Sequence, residues 1–171
     1  MSLVGHEAVV VRSGEAETLS LLGGRARLLA DSSATGGALS TLRVTLGRGA
    51  DGATPHRHGR SSELFFVVDG SAQLLVGEEV VTAGSGDLVV VPPWVPHAFA
   101  ASPAAGADLL IVITPGVERF GYFRLLERLG RGEGTVEELL ASQERFDNHF
   151  LDAPLWTAAR EAARAEGPEA G

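Results

Sequence analysis

Two histidines separated by one residue, His56 and His58, constrain this chain more than any other feature of its sequence. In an extended strand, residues i and i+2 point to the same face, so the two imidazoles project side by side. Residues 59–62 predict a turn, and Glu63 opens the next strand, which returns a carboxylate beside the imidazoles. Two histidines and a carboxylate on a rigid sheet make a divalent metal site. His97, further along the chain, is the fourth candidate ligand.

The spacing of these residues resembles the first motif of the cupin superfamily, which reads His-x-His, three or four residues, Glu, six residues, Gly. This chain has His56, His58, four residues, Glu63, six residues and Gly70. The resemblance covers about residues 40 to 115. It implies a small single-domain cupin, a metal-binding monocupin similar to the quercetin-dioxygenase-like cupins.

The second cupin motif reads Gly, five residues, Pro-x-Gly, two residues, His, three residues, Asn. This chain has Gly86, five residues, Pro92 and, in register, His97. Trp94 stands where the motif has Gly, and Ala101 stands where it has Asn. These departures affect the turn before His97 and the strand after it. All four metal-ligand positions are kept.

The pattern of short apolar runs separated by turns predicts an all-β fold. Strands are expected at residues 8–12, 18–22, 26–30, 39–46, 63–68, 71–76, 80–82, 88–91, 97–101 and 108–114. Asp69-Gly70, between two apolar runs, predicts a tight hairpin. The resemblance implies that these strands close into the cupin double-stranded β-helix, a jelly-roll barrel.

After Pro115-Gly116 the apolar spacing becomes helical. Helices are expected at residues 120–129, at 135–144 behind a capping box, and at 153–165. We therefore expect a barrel domain over residues 1–115, a helical extension over 116–165 and a disordered tail over 166–171. The segment 115–120 resembles the one that follows the barrel in quercetin-dioxygenase-like monocupins.

Strand parity predicts the lining of a substrate pocket. If the Glu63 side chain points into the barrel, those of Phe65 and Val67 do too, because alternate residues of a strand face the same side. In the same way, an inward His97 predicts an inward Phe99. Such walls suit an apolar, aromatic substrate, although the same side chains could simply fill a barrel core. His6 and His149 remain, and neither is expected to bind metal.

The composition excludes several function classes. The net charge is −8 with no basic run, so a nucleic-acid-binding surface is not expected. No stretch approaches the length of a membrane-spanning helix, and the N-terminal residues lack a signal-peptide pattern, so the cytoplasm is the expected location. The chain has no cysteine and its 14 basic residues are all Arg, which excludes thiolate and Schiff-base chemistry.

Metal chemistry through nitrogen and oxygen ligands remains. The expected cofactor is one divalent transition metal, and the ligands do not select among Fe, Mn, Ni, Co, Cu and Zn. With three neutral imidazoles and one carboxylate as ligands, a six-coordinate divalent ion would have a net charge near +1 and two adjacent open coordination positions. Such a site favours a bidentate anionic oxygen ligand, and it could also hold dioxygen beside that ligand. The resemblance implies a dioxygenase acting on a small aromatic or enolic, flavonol- or polyketide-like compound, with Glu63 also able to act as a general base.

Two other hypotheses stay open. The metal could act as a Lewis acid in a redox-neutral isomerase, cyclase or decarboxylase, or the barrel could bind a small ligand without catalysis. A transcription regulator is disfavoured because no helix-turn-helix pattern is present. Besides a small-molecule substrate, the expected partner is a second copy of the chain, paired through strands within residues 8–30.

Overall fold

The computed structural model describes residues 7–166, and its strands form one curled antiparallel sheet. The strands are β1 (Thr18–Leu21), β2 (Gly24–Ala30), β3 (Ser40–Leu46), β4 (His56–Arg57), β5 (Ser62–Val76), β6 (Glu79–Gly84), β7 (Leu88–Val91), β8 (His97–Ala101), β9 (Ala107–Thr114) and β10 (His149–Phe150). The helices are α1 (Phe120–Gly130), α2 (Val136–Ala141), α3 (Gln143–Phe146) and α4 (Pro154–Ala165), with a 3-10 turn at Ser32–Thr35. The predicted all-β fold with short C-terminal helices is confirmed.

Alternating burial along the strands places one apolar face inside the barrel. In β3, Leu42, Val44 and Leu46 are buried, while the residues between them are partly exposed. Strand β9 lies beside β3 and buries every second residue in the same way. Fully burying such an aliphatic side chain contributes about 1.5–3 kcal/mol. The inward-facing apolar side chains of neighbouring strands therefore pack together and form the main hydrophobic core.

The hairpin predicted at Asp69-Gly70 is wrong, because β5 runs unbroken through both residues for 15 residues. Its first half pairs with β7 and β9, and its second half pairs with β6 and β8. The register with β9 shifts between Val67 and Asp69, so the strand bends at a bulge. Gly70 has φ +79° there, and a Cβ would lie 2.0 Å from the Gly106 carbonyl oxygen. The glycine thus bends one strand across the barrel.

The strand predicted at residues 8–12 is also wrong. These residues have no regular structure, and Val9, Val10 and Val11 are exposed. No described strand pairs with them, and β-branched residues need a partner strand and a surface to pack on before they form a ladder. The N-terminal strands that do form are β1 and β2, and β1 lies at one end of the sheet order.

The helices agree closely with the sequence predictions. The capping box at the start of α2 is present, since Thr135 and Glu138 each accept a backbone N–H of the other. The second predicted helix ends at Ala141 rather than at Glu144, and α3 follows as a separate turn. No helix within residues 7–166 has the length and apolarity needed to cross a membrane. Residues 167–171 of the predicted tail lie outside the described residues, as does His6.

The segment after the barrel attaches to it in three places. Helix α4 packs on the outside, where buried Trp156 joins a small cluster with Leu75, Ala98 and Ala100. Strand β10 pairs with β4, the strand that carries the first histidine of the motif. Helix α1 contacts β1 at the barrel opening. A boundary near residue 115 between barrel and extension stays a prediction.

Candidate metal centre

Four predicted ligands converge inside the barrel. His56 lies on β4, His58 follows it, Glu63 lies on β5 and His97 opens β8. All four side chains are buried, and their candidate ligand atoms lie within 4.8 Å of one another. The Nε2 atoms of His97, His58 and His56 lie 2.6, 3.0 and 3.8 Å from Oε2 of Glu63. The fold thus brings together residues up to 41 positions apart in the chain.

Backbone carbonyl groups orient the three imidazoles. The Nδ1 atoms of His56, His58 and His97 lie 2.7, 2.5 and 2.9 Å from the carbonyl oxygens of Thr54, Asp147 and Val95. A carbonyl oxygen only accepts, so each Nδ1 carries a proton and each ring turns its Nε2 toward the Glu63 carboxylate. A hydrogen bond from the far ring nitrogen is the usual support of a metal-ligating histidine.

The charges of the cluster fit a cation. Burial, together with the neighbouring charge of His97, lowers the pKa of His56 to about 4, so this ring is neutral at pH 7. Burial alone would raise the pKa of Glu63, but the charge of His58 and the imidazole hydrogen bonds outweigh it and hold this pKa well below the usual range. The three Nε2 atoms and the carboxylate oxygen are nitrogen and oxygen donors of the kind that divalent transition metals accept, and they lie close enough together to share one ion. The donor set therefore fits a divalent metal ion.

Trp94 occupies the motif position that usually belongs to glycine, and its backbone keeps the glycine-like conformation. Its φ is 70°, in the left-handed region that costs a residue with a Cβ about 1–2 kcal/mol. Its N–H donates to the carbonyl oxygen of His58 at 2.7 Å. The Arg57 guanidinium lies over the indole ring, with its central carbon 5.4 Å from the ring centroid. The turn before His97 therefore forms a backbone hydrogen bond to His58, a candidate ligand, although Trp94 replaces the glycine of the motif.

Asp147 connects the C-terminal segment to the ligand loop, a role that the sequence did not indicate. Its carbonyl oxygen is the partner of His58 Nδ1. Its carboxylate accepts the backbone N–H groups of Gly59 and Arg60 at 2.9 and 2.8 Å. Asp147 is itself left-handed, with φ 51°, at the end of α3. No local pattern in residues 145–150 indicates this contact, because it joins residues 89 positions apart in the chain.

A cavity of about 410 Å³ opens above His56 and Glu63. This volume lies within the range of small-molecule sites. Its wall is mostly apolar and comes from the barrel and from the helical extension, including Val44, Leu46, Phe99, Ile111, Tyr122, Phe123, Leu126, Leu129, Val136 and Leu139. Helices α1 and α2 therefore cover the barrel opening.

The three predicted pocket residues have different positions. Phe99 lies in the cavity wall. Phe65 and Val67 point inward as strand parity predicted, but they lie in the hydrophobic core and not among the lining residues. Phe65 instead packs against Phe99, with ring centroids 5.5 Å apart. His149 lies outside the metal cluster, 3.3 Å from an Asp147 carboxylate oxygen.

Three buried polar residues in the cavity wall were not predicted from the sequence. Arg119, Tyr122 and Asn148 all line the cavity. Arg119 and Tyr122 lie at the start of α1, and Asn148 follows α3. An arginine at the start of an amphipathic helix normally faces solvent, so no local pattern distinguishes a buried one. Only the packing of the extension over the barrel brings these side chains to the cavity.

Comparison with known proteins identifies the barrel. Residues 42–113 match the family model described as the cupin domain. KdgF from Halomonas sp. is 22% identical with a TM-score of 0.56, and the alignment covers 64% of this chain and 94% of that chain. Pac13 from Streptomyces, a nucleoside dehydratase solved with uridine, is 22% identical with a TM-score of 0.53, over 66% of this chain and 86% of that chain.

A third similar structure is a variant of oxalate decarboxylase OxdC from Bacillus subtilis. It is 25% identical with a TM-score of 0.53, and the alignment covers 64% of this chain but only 31% of that chain. A search of curated protein sequences finds no match. These similarities show a shared barrel. They do not distinguish the quercetin-dioxygenase-like group from other cupins.

Proposed function

We propose that this chain, whose residues 42–113 form a cupin domain, is a metal-dependent dioxygenase of a small aromatic or enolic compound. The observation that carries the proposal is the position of the metal site at the wall of an apolar cavity. His56 and Glu63 belong both to the ligand cluster and to the cavity lining. A substrate in the cavity would therefore lie directly against the metal ligands.

The shape and chemistry of the cavity support an apolar substrate. Phe99, Tyr122 and Phe123 give it aromatic walls, and aliphatic side chains complete them. Burying an aromatic ring against such walls is favourable at about 25 cal/mol per Å² of apolar surface. An enolic or phenolic oxygen on that ring would reach the metal ligands. A flavonol- or polyketide-like compound has both features.

The residues of the chain have separable roles in this proposal. When bound, a redox-active divalent ion supplies the chemistry that lets an electron-rich substrate react with dioxygen. Glu63 contacts the three imidazoles through Oε2, while its Oε1 makes no hydrogen bond within residues 7–166. That second oxygen can accept the proton of a substrate hydroxyl group, a contribution of about 10² to 10⁴ in rate. Leu126 and Leu139 belong to the same cavity wall and make the surroundings of the reacting groups apolar.

A redox-neutral reaction is the alternative. The similar barrels include a nucleoside dehydratase and an oxalate decarboxylase, so this fold supports more than one reaction class. In that case the ion would act only as a Lewis acid, and Glu63 would move a proton within the substrate. The same apolar cavity would serve both reactions.

The test combines metal analysis with oxygen uptake. The purified protein should contain about one divalent ion per chain, and turnover of an enolic or phenolic substrate should consume dioxygen. Turnover that continues without dioxygen would replace the dioxygenase by the redox-neutral enzyme. A stoichiometric ion with no turnover of any compound would favour a binding barrel.

Two matched variants separate the roles of Glu63. Glu63→Gln should lose about 10² to 10⁴ in rate while keeping most of its metal, because the amide oxygen can still ligate but cannot take a proton. Glu79→Gln makes the same change on an exposed residue of β6 and should leave the reaction rate and the metal content unchanged. If metal and rate fall in parallel in Glu63→Gln, Glu63 is only a ligand.

A further inference from the structure

We propose that Arg119, with Asn148 and Tyr122, forms a subsite in the cavity wall that binds a carboxylate group of the substrate. The inference rests on the proposed function and narrows its substrate class to compounds that carry a carboxylate besides the oxygen that faces the metal site. The three residues line the same cavity as His56 and Glu63.

Arg119 is a buried cation without an ionic partner. It is 3% exposed, and no carboxylate within residues 7–166 forms an ion pair with its guanidinium. The group donates to two neutral oxygens, the Phe146 carbonyl at 2.9 Å and Asn148 Oδ1 at 3.2 Å. Its Nε makes no hydrogen bond to any of the described residues. Buried charges are normally paired, so an arginine left without an acid beside a cavity indicates that a ligand supplies the anion.

Asn148 adds a second unused donor. It is 1% exposed, and its Nδ2 makes no hydrogen bond within residues 7–166, although the side chain lies near enough to Tyr122 to lower the pKa of that phenol against the effect of burial. Because a guanidinium only donates, the Asn148 oxygen must face Arg119, and this fixes the amide group as a donor on the other side. A guanidinium has five N–H donors, of which two are used here. The cluster therefore has donors in excess of acceptors, which is the composition that a carboxylate matches.

Aromatic rings hold the guanidinium in place without neutralising it. Its central carbon lies 4.6 Å from the centroid of the Tyr122 ring and 5.5 Å from that of Phe123. Both rings line the cavity. Stacking on an aromatic face keeps the planar fork rigid, which favours bidentate contact with a carboxylate.

The N-terminus of α1 is not the binding element. The carboxylate of Asp31 already accepts the backbone N–H groups of Arg119 and Phe120, at 2.7 and 3.0 Å. An incoming anion would therefore meet the Arg119 side chain and not the end of the helix. Within the cavity, Glu63 is an acidic lining residue, and a divalent ion on the histidines would more than balance its charge.

Binding of benzoate and of benzamide, its neutral counterpart of similar shape, tests the subsite. Calorimetric titration of wild-type protein should give at least about tenfold tighter binding of benzoate, because a charged hydrogen-bonded pair is worth at least one decade in affinity. Arg119→Gln should bring the two affinities to within about twofold of each other. Arg119→Lys should keep part of the preference, since it keeps the charge and loses the fork.

The ratio of the two affinities separates anion binding from a structural role. If Arg119 only held the Phe146 carbonyl, Arg119→Gln would weaken both probes equally and the ratio would stay at the wild-type value, which would overturn the proposal. Arg12→Gln is the control, because Arg12 is an exposed arginine outside the cavity lining, and the affinity ratio of this variant should equal that of wild type. Absence of benzoate binding at millimolar concentration would also overturn the subsite.

Each titration is run on metal-loaded and on chelator-treated protein, which keeps this inference separate from the proposed enzyme. The preference for benzoate should survive chelation, because Arg119 is not a metal ligand. A preference that disappears on chelation but persists in Arg119→Gln would assign the carboxylate to the metal and overturn the subsite. Failure of the dioxygenase assay would leave the affinity ratio unaffected.

Discussion

Replacing Asp147 by Asn tests whether the segment after α3 orients a metal ligand. The carboxylate accepts two backbone N–H groups, from Gly59 and Arg60, and so fixes this segment beside His58, whose Nδ1 donates to the Asp147 carbonyl. Asn tolerates the left-handed conformation of this residue about as well as Asp does. The substitution therefore removes the charge without adding backbone strain.

The expected magnitude follows from these two hydrogen bonds. An amide offers one acceptor oxygen and turns an NH2 group toward the other N–H, so one charged bond is lost and the other becomes neutral. Hydrogen bonds to charged groups contribute about 1.5–3 kcal/mol each and neutral ones about 1 kcal/mol, so the free energy of unfolding should fall by about 3 kcal/mol. Because His58 loses its fixed orientation, metal affinity should fall about tenfold to a hundredfold.

Zinc titration against a competing chelator and urea unfolding of the metal-free protein measure the two effects. Asp152→Asn is the matched control, because Asp152 is exposed and its side chain makes no hydrogen bond within residues 7–166. Destabilisation of Asp147→Asn with control-like zinc affinity would show that the carboxylate stabilises the fold but does not orient His58. Unchanged stability would refute the reasoning from the hydrogen bonds.

The pH dependence gives an independent check on Asp147. Burial alone would raise the pKa of this carboxyl, but the N–H groups of Gly59 and Arg60 outweigh it, so the pKa lies below the usual 3.8. A group with a depressed pKa in the folded state contributes stability that is present above its unfolded pKa and is lost as the pH falls through the folded value. Below about pH 4, metal-free wild-type protein should lose this contribution, and Asp147→Asn should decline less steeply.

Three further predictions concern the ligands, the helical extension and assembly. His58→Ala should lose its bound ion while circular dichroism still shows a folded barrel, and a full complement of metal in this variant would contradict the ligand assignment. Arg160→Met should lower the free energy of unfolding by about 3 kcal/mol, because buried Arg160 donates to four oxygen atoms that hold α4 on the barrel. Arg164→Met should cost less than about 1 kcal/mol, since this side chain is exposed, and equal losses in urea unfolding would refute the distinction. Light scattering should find a dimer, because β1 (Thr18–Leu21) lies at the end of the sheet order and edge strands are normally covered; a monomer at micromolar concentration would contradict it.

The sequence alone was sufficient for the features that depend on neighbouring residues. Alternation in β3, with a period of two residues, and the capping box at Thr135, which spans four residues, are local patterns, and both are present in the structure. The pairing of His56 with His58 on one side of a strand is equally local. The position of His97 was found only through its spacing within a two-part motif, and the fold brings it beside Glu63.

Where the local sequence favoured one structure and pairing with distant strands favoured another, the structure follows the pairing. Asp69-Gly70 has the composition of a hairpin, yet neighbouring strands continue along β5 on both sides of it, so the ladder hydrogen bonds favour a bulge over a reversal. Residues 8–12 show the opposite case, because they have strand propensity but no partner strand among residues 7–166. Hydrogen-bond partners in a sheet come from distant parts of the chain, and a window of a few residues carries no information about them.

Only the tertiary structure decided what surrounds the metal centre. Arg119 and Asn148 reach the cavity because the extension packs over the barrel opening, and Asp147 reaches His58 across 89 positions of sequence. Apolar burial, which drives such packing, is non-directional and favours any arrangement that removes enough surface from water. The shape of the complete fold selects one arrangement. For this reason the candidate metal ligands and Phe99 could be predicted from the sequence, whereas the residues that orient those ligands and the rest of the cavity wall could not.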